Sequence, residues 1–112
     1  MQPSTAEAIA GQVLAIDLGG TKVAVAVVDE AGCVLARCKA PVEKAGAAAT
    51  AEQVGALAAE LLAGRRVAGT GVAVPGIYCP ATGLAWAPNL WGRDQVPVAA
   101  FLEARLPSRL LK

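Results

Sequence analysis

The chain has 112 residues, 55% of them hydrophobic, a net charge of +1 at pH 7 and no histidine. That length supports one domain, and much of its apolar content is alanine, which buries less area per residue than a Leu/Ile/Phe-rich core. Acids and bases are interspersed, with no basic stripe and no aromatic platform, so the electrostatic footprint of a nucleic-acid binder is missing. The absent histidine removes the usual zinc ligand and the usual general base together.

Residues 1–12 contain no Lys or Arg and no long apolar run, and read as a short polar leader rather than a secretory signal. The longest apolar region, Val13 to Val28, is broken by Asp17, Gly19, Gly20 and Lys22, so no segment is expected to span a membrane. Val13-Leu14-Ala15-Ile16 is a continuous apolar run, as in a strand covered on both faces. Val23 to Val28 is a second, β-branched run, ended by the hairpin-type turn Asp29-Glu30-Ala31-Gly32. Cys33 to Lys39 alternates as a third strand, closed by Pro41, and the short links imply an antiparallel meander.

Residues 45–49 are expected to form a loop before a helix. Thr50 is the expected N-cap, with Gln53 completing a capping box. Val54, Leu57, Ala58, Leu61 and Leu62 then make one apolar stripe, and Gly64 fits the position just past the helix end. Val67 to Val74 reads as a fourth strand, ended by Pro75-Gly76. An irregular segment follows, up to Gly92. A second helix is expected from about Val96, with Pro97 in its first turn, one face of Val98, Phe101, Leu102, Arg105 and Leu106, and Pro107 as its stop. The order β-β-β-α-β-α, with a helical crossover, makes the fourth strand parallel to an earlier one and gives an α/β fold with a mixed sheet. The unit resembles half of a ribonuclease-H-like domain.

Cys33, Cys38 and Cys79 form no CxxC pair, and their odd number argues against a disulfide framework. They are expected to be small buried hydrophobes in a reducing, cytoplasmic environment. Asp17-Leu18-Gly19-Gly20-Thr21-Lys22 carries the chemistry. Glycine lets backbone approach an anion closely and take up positive φ, so that successive N–H groups can face phosphate oxygens. Thr21 can donate to a terminal phosphate, Lys22 adds a positive charge, and Asp17 can hold Mg²⁺ directly or through one of its waters. The same residues also suit a tight hairpin turn with glycine at its corner, and this reading stays open. The Asn89 amide can pair two adjacent hexose hydroxyls, and it is equally a turn residue after Pro88. Trp86 and Trp91 fit packing at the sheet edge better than stacking on a sugar. Gly69-Thr70-Gly71 is no dinucleotide fingerprint, because Val74 stands where the third glycine belongs, and Gly-Thr-Lys lacks the spacing of a Walker A motif.

Three stretches in order, Asp17-Leu18-Gly19-Gly20-Thr21-Lys22, Val74-Pro75-Gly76 and Ala87-Pro88-Asn89-Leu90, resemble the ROK family of sugar kinases and related repressors, members of the actin-like ATPase and sugar-kinase superfamily. The resemblance runs from about Val13 to Leu106. It implies that Asp17 handles Mg²⁺, that Gly19, Gly20, Thr21 and Lys22 lie along the ATP phosphates, and that Gly76 and Asn89 line a hexose site, most suitably for glucose. In the family an aromatic follows the glycine after the Asn-Leu pair; here Trp91 precedes Gly92.

The resemblance also implies what lies elsewhere. The family's catalytic base is the Asp of a Glu-Asn-Asp run on the strand after the second helix, which falls beyond Lys112, as do the adenine-binding half and the Cys/His zinc motif. Residues 13–112 are therefore expected to be an incomplete N-terminal lobe that stops before the fifth strand. Asp94, in the entry turn of the second helix, and Glu103, within it, read as solvated or capping residues. The expected function is glucokinase-like, ATP-dependent hexose phosphorylation by the full-length protein, a homo-oligomer, with no turnover from the 112-residue chain alone. The alternatives are a sugar-responsive ROK transcriptional regulator, for which too few residues precede the first strand to hold a winged helix, and a non-catalytic fragment or binding module. An exposed sheet edge and apolar face are expected to favour self-association.

Overall fold

A computed structural model describes residues 11–106. Strands β1 (Val13–Leu18), β2 (Lys22–Val28) and β3 (Val34–Pro41) form the expected antiparallel meander, and helix α1 (Ala47–Leu62) crosses over to β4 (Gly69–Ala73). β4 runs parallel to β1, so the sheet is mixed, in the order β3-β2-β1-β4. The period-two pattern of a strand puts Leu14, Ile16 and Leu18 of β1 beside Val23, Val25 and Val27 of β2. All six are buried and pack against Val54, Ala58 and Leu62 of α1. Burying each such side chain contributes about 1.5–3 kcal/mol.

The opposite face differs from expectation. β1 reads as covered on both sides, yet among the described residues only the α1 side is covered. Val13, Ala15, Ala24, Ala26, Gly71 and Ala73 line a shallow hollow of about 470 Å³ on the other side. The turn into β3 forms as expected: Asp29 Oδ1 accepts from the Ala31 and Cys33 amides at 3.0 and 2.9 Å, and Gly32 has a φ of 84°.

α1 begins earlier than expected. Its N-cap is Gly46, with φ 113° and ψ 160°, and residues 47–49 form its first turn instead of a loop. Alanine is the strongest helix former, and a glycine alone tolerates the backbone that launches it. Thr50 is thus inside the helix and caps nothing. Its hydroxyl bonds the Glu43 carbonyl and lies 3.1 Å from the Gly46 carbonyl. Gln53 reaches back instead to the Glu43 amide (2.8 Å) and the Pro41 carbonyl (2.7 Å). The far end holds as expected, with Gly64 at φ 87° after Ala63.

The segment after β4 has regular structure that the sequence reading missed. β5 (Ile77–Cys79), β6 (Leu84–Trp86) and β7 (Gln95–Val96) form a second, antiparallel sheet, and α2 (Pro88–Trp91) is a single helical turn between β6 and β7. The hairpin signal was Thr82-Gly83, where Gly83 takes φ 73°. Because Gln95 and Val96 pair in this sheet, α3 (Val98–Glu103) starts at Val98 with Pro97 as its N-cap, and Asp94 precedes β7 rather than the helix. α3 docks on α1, where Arg105 Nε meets Glu52 Oε1 at 2.6 Å. Of the polar leader only Gly11 and Gln12 are described, and the Pro107 stop lies outside the described residues.

Candidate functional site

The β1–β2 corner is tight. Asp17 pairs with Ala24 and Leu18 with Val23, and the Gly19 amide donates to the Lys22 carbonyl at 2.8 Å. A β-carbon on Gly19 would lie 2.9 Å from that carbonyl, closer than real contacts allow. Gly19 is therefore required for space. Neither Gly19 nor Gly20 takes up the left-handed backbone that the sequence reading allowed for, and the Gly19 N–H is spent inside the turn. The amides of Gly20 and Thr21 meet no backbone carbonyl among the described residues and remain available to an anion. Thr21 and Lys22 are exposed, and the Thr21 carbonyl accepts from the Val42 amide at 3.0 Å, tying the corner to the end of β3.

Strand alternation turns Asp17 to the open side of the sheet, in line with Val13 and Ala15. There it is exposed and makes no hydrogen bond or ion pair among the described residues. An unpartnered carboxylate beside two free amides, a hydroxyl and an ammonium is a donor set that fits Mg²⁺ and a phosphate chain. No cluster of three His, Cys, Asp or Glu side chains that could hold a metal occurs among the described residues.

The other two motifs converge on this corner. Val74-Pro75-Gly76 bends after β4 through a Gly76 N–H to Val74 carbonyl bond of 3.0 Å. This presses Gly76 onto the chain entering α2: a β-carbon there would lie 2.0 Å from the Trp86 carbonyl oxygen and 3.0 Å from Ala87 Cα. α2 then sets Asn89 beside the glycine corner, since a β-carbon on Gly20 would lie 3.7 Å from Asn89 Cβ. Asn89 is exposed and its amide has no hydrogen-bond partner among the described residues. Asp17, Gly19, Gly20, Thr21, Lys22, Gly76 and Asn89 are thus brought into one neighbourhood.

The tryptophans divide. Trp91 is partly buried against the core and its indole Nε1–H donates to Thr50 Oγ1 at 3.0 Å, a contact that residues 41 apart in sequence gave no sign of. Trp86 remains 40% exposed on the outer side of the small sheet, with Ile77, Cys79, Leu84, Arg93 and Gln95 around it. The cysteines also depart from expectation: only Cys38 packs against the core, while Cys33 and Cys79 are exposed, at the start of β3 and the end of β5. Burial and the Glu60 carboxylate push the Cys38 thiol up, whereas hydrogen bonds led by the Thr82 hydroxyl hold Cys79 down.

Solved structures share this fold. The chain is similar to a ROK family glucokinase from Streptomyces griseus, crystallised with glucose and AMPPNP, at 27% identity and a TM-score of 0.78, covering 90% of this chain and 32% of that one. A ROK hexokinase from Thermus thermophilus is 30% identical with a TM-score of 0.72, over 89% of this chain and 34% of that one. A ROK family transcriptional regulator, a homologue of the E. coli MLC protein, shares the fold at 17% identity and a TM-score of 0.68, over 88% of this chain and 26% of that one. The chain spans about a third of the length of these two enzymes. No curated protein matches it. The model of the ROK family matches residues 13–110, which include the glycine corner, the Val-Pro-Gly bend and the Asn89 turn. By that match and by the shared lobe, the chain belongs to the ROK family.

Proposed function

We propose that this chain supplies the phosphate-binding corner and part of the sugar site of an ATP-dependent hexose kinase acting on glucose. The observation that carries the reading is the convergence of three motifs, with Gly20 against Asn89 and Gly76 against the Trp86–Ala87 backbone. The likeness to a glucokinase and a hexokinase supports it. In this reading the Gly20 and Thr21 amides, the Thr21 hydroxyl and Lys22 hold the phosphates of ATP, and Asp17 holds Mg²⁺ directly or through a water. Bound there, the ion would neutralise charge on the phosphate oxygens. Asn89 orients the sugar by pairing two of its hydroxyls, and the Gly76 backbone lies under it.

Transfer to a sugar hydroxyl needs a carboxylate that takes up its proton. None of the described residues is given that role; Asp94 and Glu103 are the acids that follow Asn89. The 112-residue chain is accordingly expected to bind without turning over. No described helix is long and apolar enough to cross a membrane.

The test is a titration of the ¹⁵N-labelled chain followed by NMR. Magnesium-AMPPNP is expected to shift the amides of residues 19–22, and glucose those of Gly76 and Asn89. Asp17→Ala should weaken the nucleotide response on the order of tenfold, the loss of one charge-assisted contact. Shifts that map elsewhere, or a nucleotide response indifferent to Asp17, would overturn the reading.

A further inference from the structure

α2 carries Asn89 yet has little reason to exist alone. It is one turn long, its N-cap Ala87 offers no side-chain hydrogen bond, and a helix this short has no stability of its own in water. Its shape has to come from what its neighbours grip. Leu90 is buried, at 4% exposure, and the indole of Trp91 donates to Thr50 Oγ1 at 3.0 Å. Thr50 is itself 1% exposed, and its hydroxyl hydrogen is used on the Glu43 carbonyl, leaving the oxygen's lone pairs to receive the indole N–H. An indole N–H only donates, so the bond has one polarity and one geometry.

The grip extends to the glycine corner. Glu43 is held by Gln53 through its amide at 2.8 Å, and the preceding Val42 donates to the Thr21 carbonyl at 3.0 Å. A continuous path of hydrogen bonds and backbone therefore runs from Thr21 through Val42, Glu43 and Thr50 to Trp91, two residues from Asn89. The same two ends approach directly where Gly20 faces Asn89.

We propose that Thr50 and Trp91 are positioning residues whose hydrogen bond holds Asn89 against Gly20, and so sets the distance between the sugar-binding amide and the phosphate corner. The strut stands on geometry alone; its consequence for sugar binding rests on the reading of Asn89 given above. Trp91 then acts from behind the site as an anchor and makes no stack on the sugar.

The experiment compares Trp91→Phe, Thr50→Val and Thr50→Ser in the labelled chain, with two readouts. The first is the nuclear Overhauser contact between the Gly20 α-protons and the Asn89 β-protons, which needs no ligand. It should be present in the parent and in Thr50→Ser, which keeps the hydroxyl, and lost in Trp91→Phe and Thr50→Val while β1–β4 resonances stay in place. The second is the glucose-induced shift at Asn89, expected to need several-fold more glucose in the two strut-breaking variants and to be unchanged in Thr50→Ser. If Thr50→Val fails to fold, Trp91→Phe decides. Retention of the Gly20–Asn89 contact in a folded Trp91→Phe overturns the proposal, as does a Thr50→Ser variant that behaves like Thr50→Val. Asn89→Ala separates the two claims: a glucose response that survives it removes the sugar reading, while the proton contact in the other variants still judges the strut.

Discussion

Asp17 and Asn89 are polar side chains with no partner among the described residues. Both are exposed, so neither carries the penalty of a buried, unsatisfied group. The two cysteines Cys38 and Cys79 have their chemistry set by their surroundings. The Thr82 hydroxyl, then the Thr82 and Ala81 amides, favour the Cys79 thiolate and hold its pKa below the ordinary 9.0, while burial and Glu60 raise that of Cys38. The thiolate is the reacting species, so iodoacetamide should modify Cys79 well before Cys38 at neutral pH. The gap closes only as pH climbs past the raised Cys38 value. Thr82→Val removes the leading donor and should slow Cys79 labelling at about pH 7 with little change at about pH 10, where the thiolate dominates regardless. Peptide mass spectrometry over time reads both rates. An unchanged neutral-pH rate in Thr82→Val would show that the hydroxyl plays no part.

At the junction after β4, elements meet through backbone rather than through large side chains. β4 hands over to β5 by a three-residue bend, and Gly76 at its end touches main-chain atoms of the strand and turn that lead to Asn89. Main chain cannot swing aside as a flexible side chain can. Gly76→Ala is therefore expected to destabilise the chain by about 1–3 kcal/mol, the usual cost of overpacking, read as a lower urea midpoint. It should also displace the Asn89 resonances. An unchanged midpoint would mean that β4 and α2 separate freely. At α1, Thr50 and Gln53 have the capping-box spacing, but their side chains bond Glu43 and the end of β3 instead of capping the helix start.

Across the domain, the sheet has one covered face and one open one. The α1 side is filled by Leu14, Leu18, Val23, Val25 and Val27, whereas the other side offers small residues around a hollow of about 470 Å³. An apolar face of this kind favours association when nothing covers it. The 112-residue chain is expected to show concentration-dependent dimers or larger species in sedimentation velocity. Ala15→Glu, on that open face, should suppress them with a small effect on stability, because the position is only half-buried. A single monomeric species at all concentrations would remove the expectation.

The strand meander, the crossover helix, the parallel fourth strand and the three motif stretches were all legible in the amino-acid order. They rest on alternation, on the apolar stripe of α1 and on turn residues, which are properties of near neighbours. What depended on distant partners was not legible. The hairpin of the small sheet is not legible because its strands are only three residues long and one turn glycine is its main sign. Gly19 looks like a conformational necessity in the sequence, and folding makes it a spatial one. That Asn89 faces Gly20, and that Trp91 is fastened to Thr50, follow from how β4, α1 and the small sheet pack together. Local sequence specifies each element, but which of their side chains come within a hydrogen bond's reach is decided only once the shared core has closed.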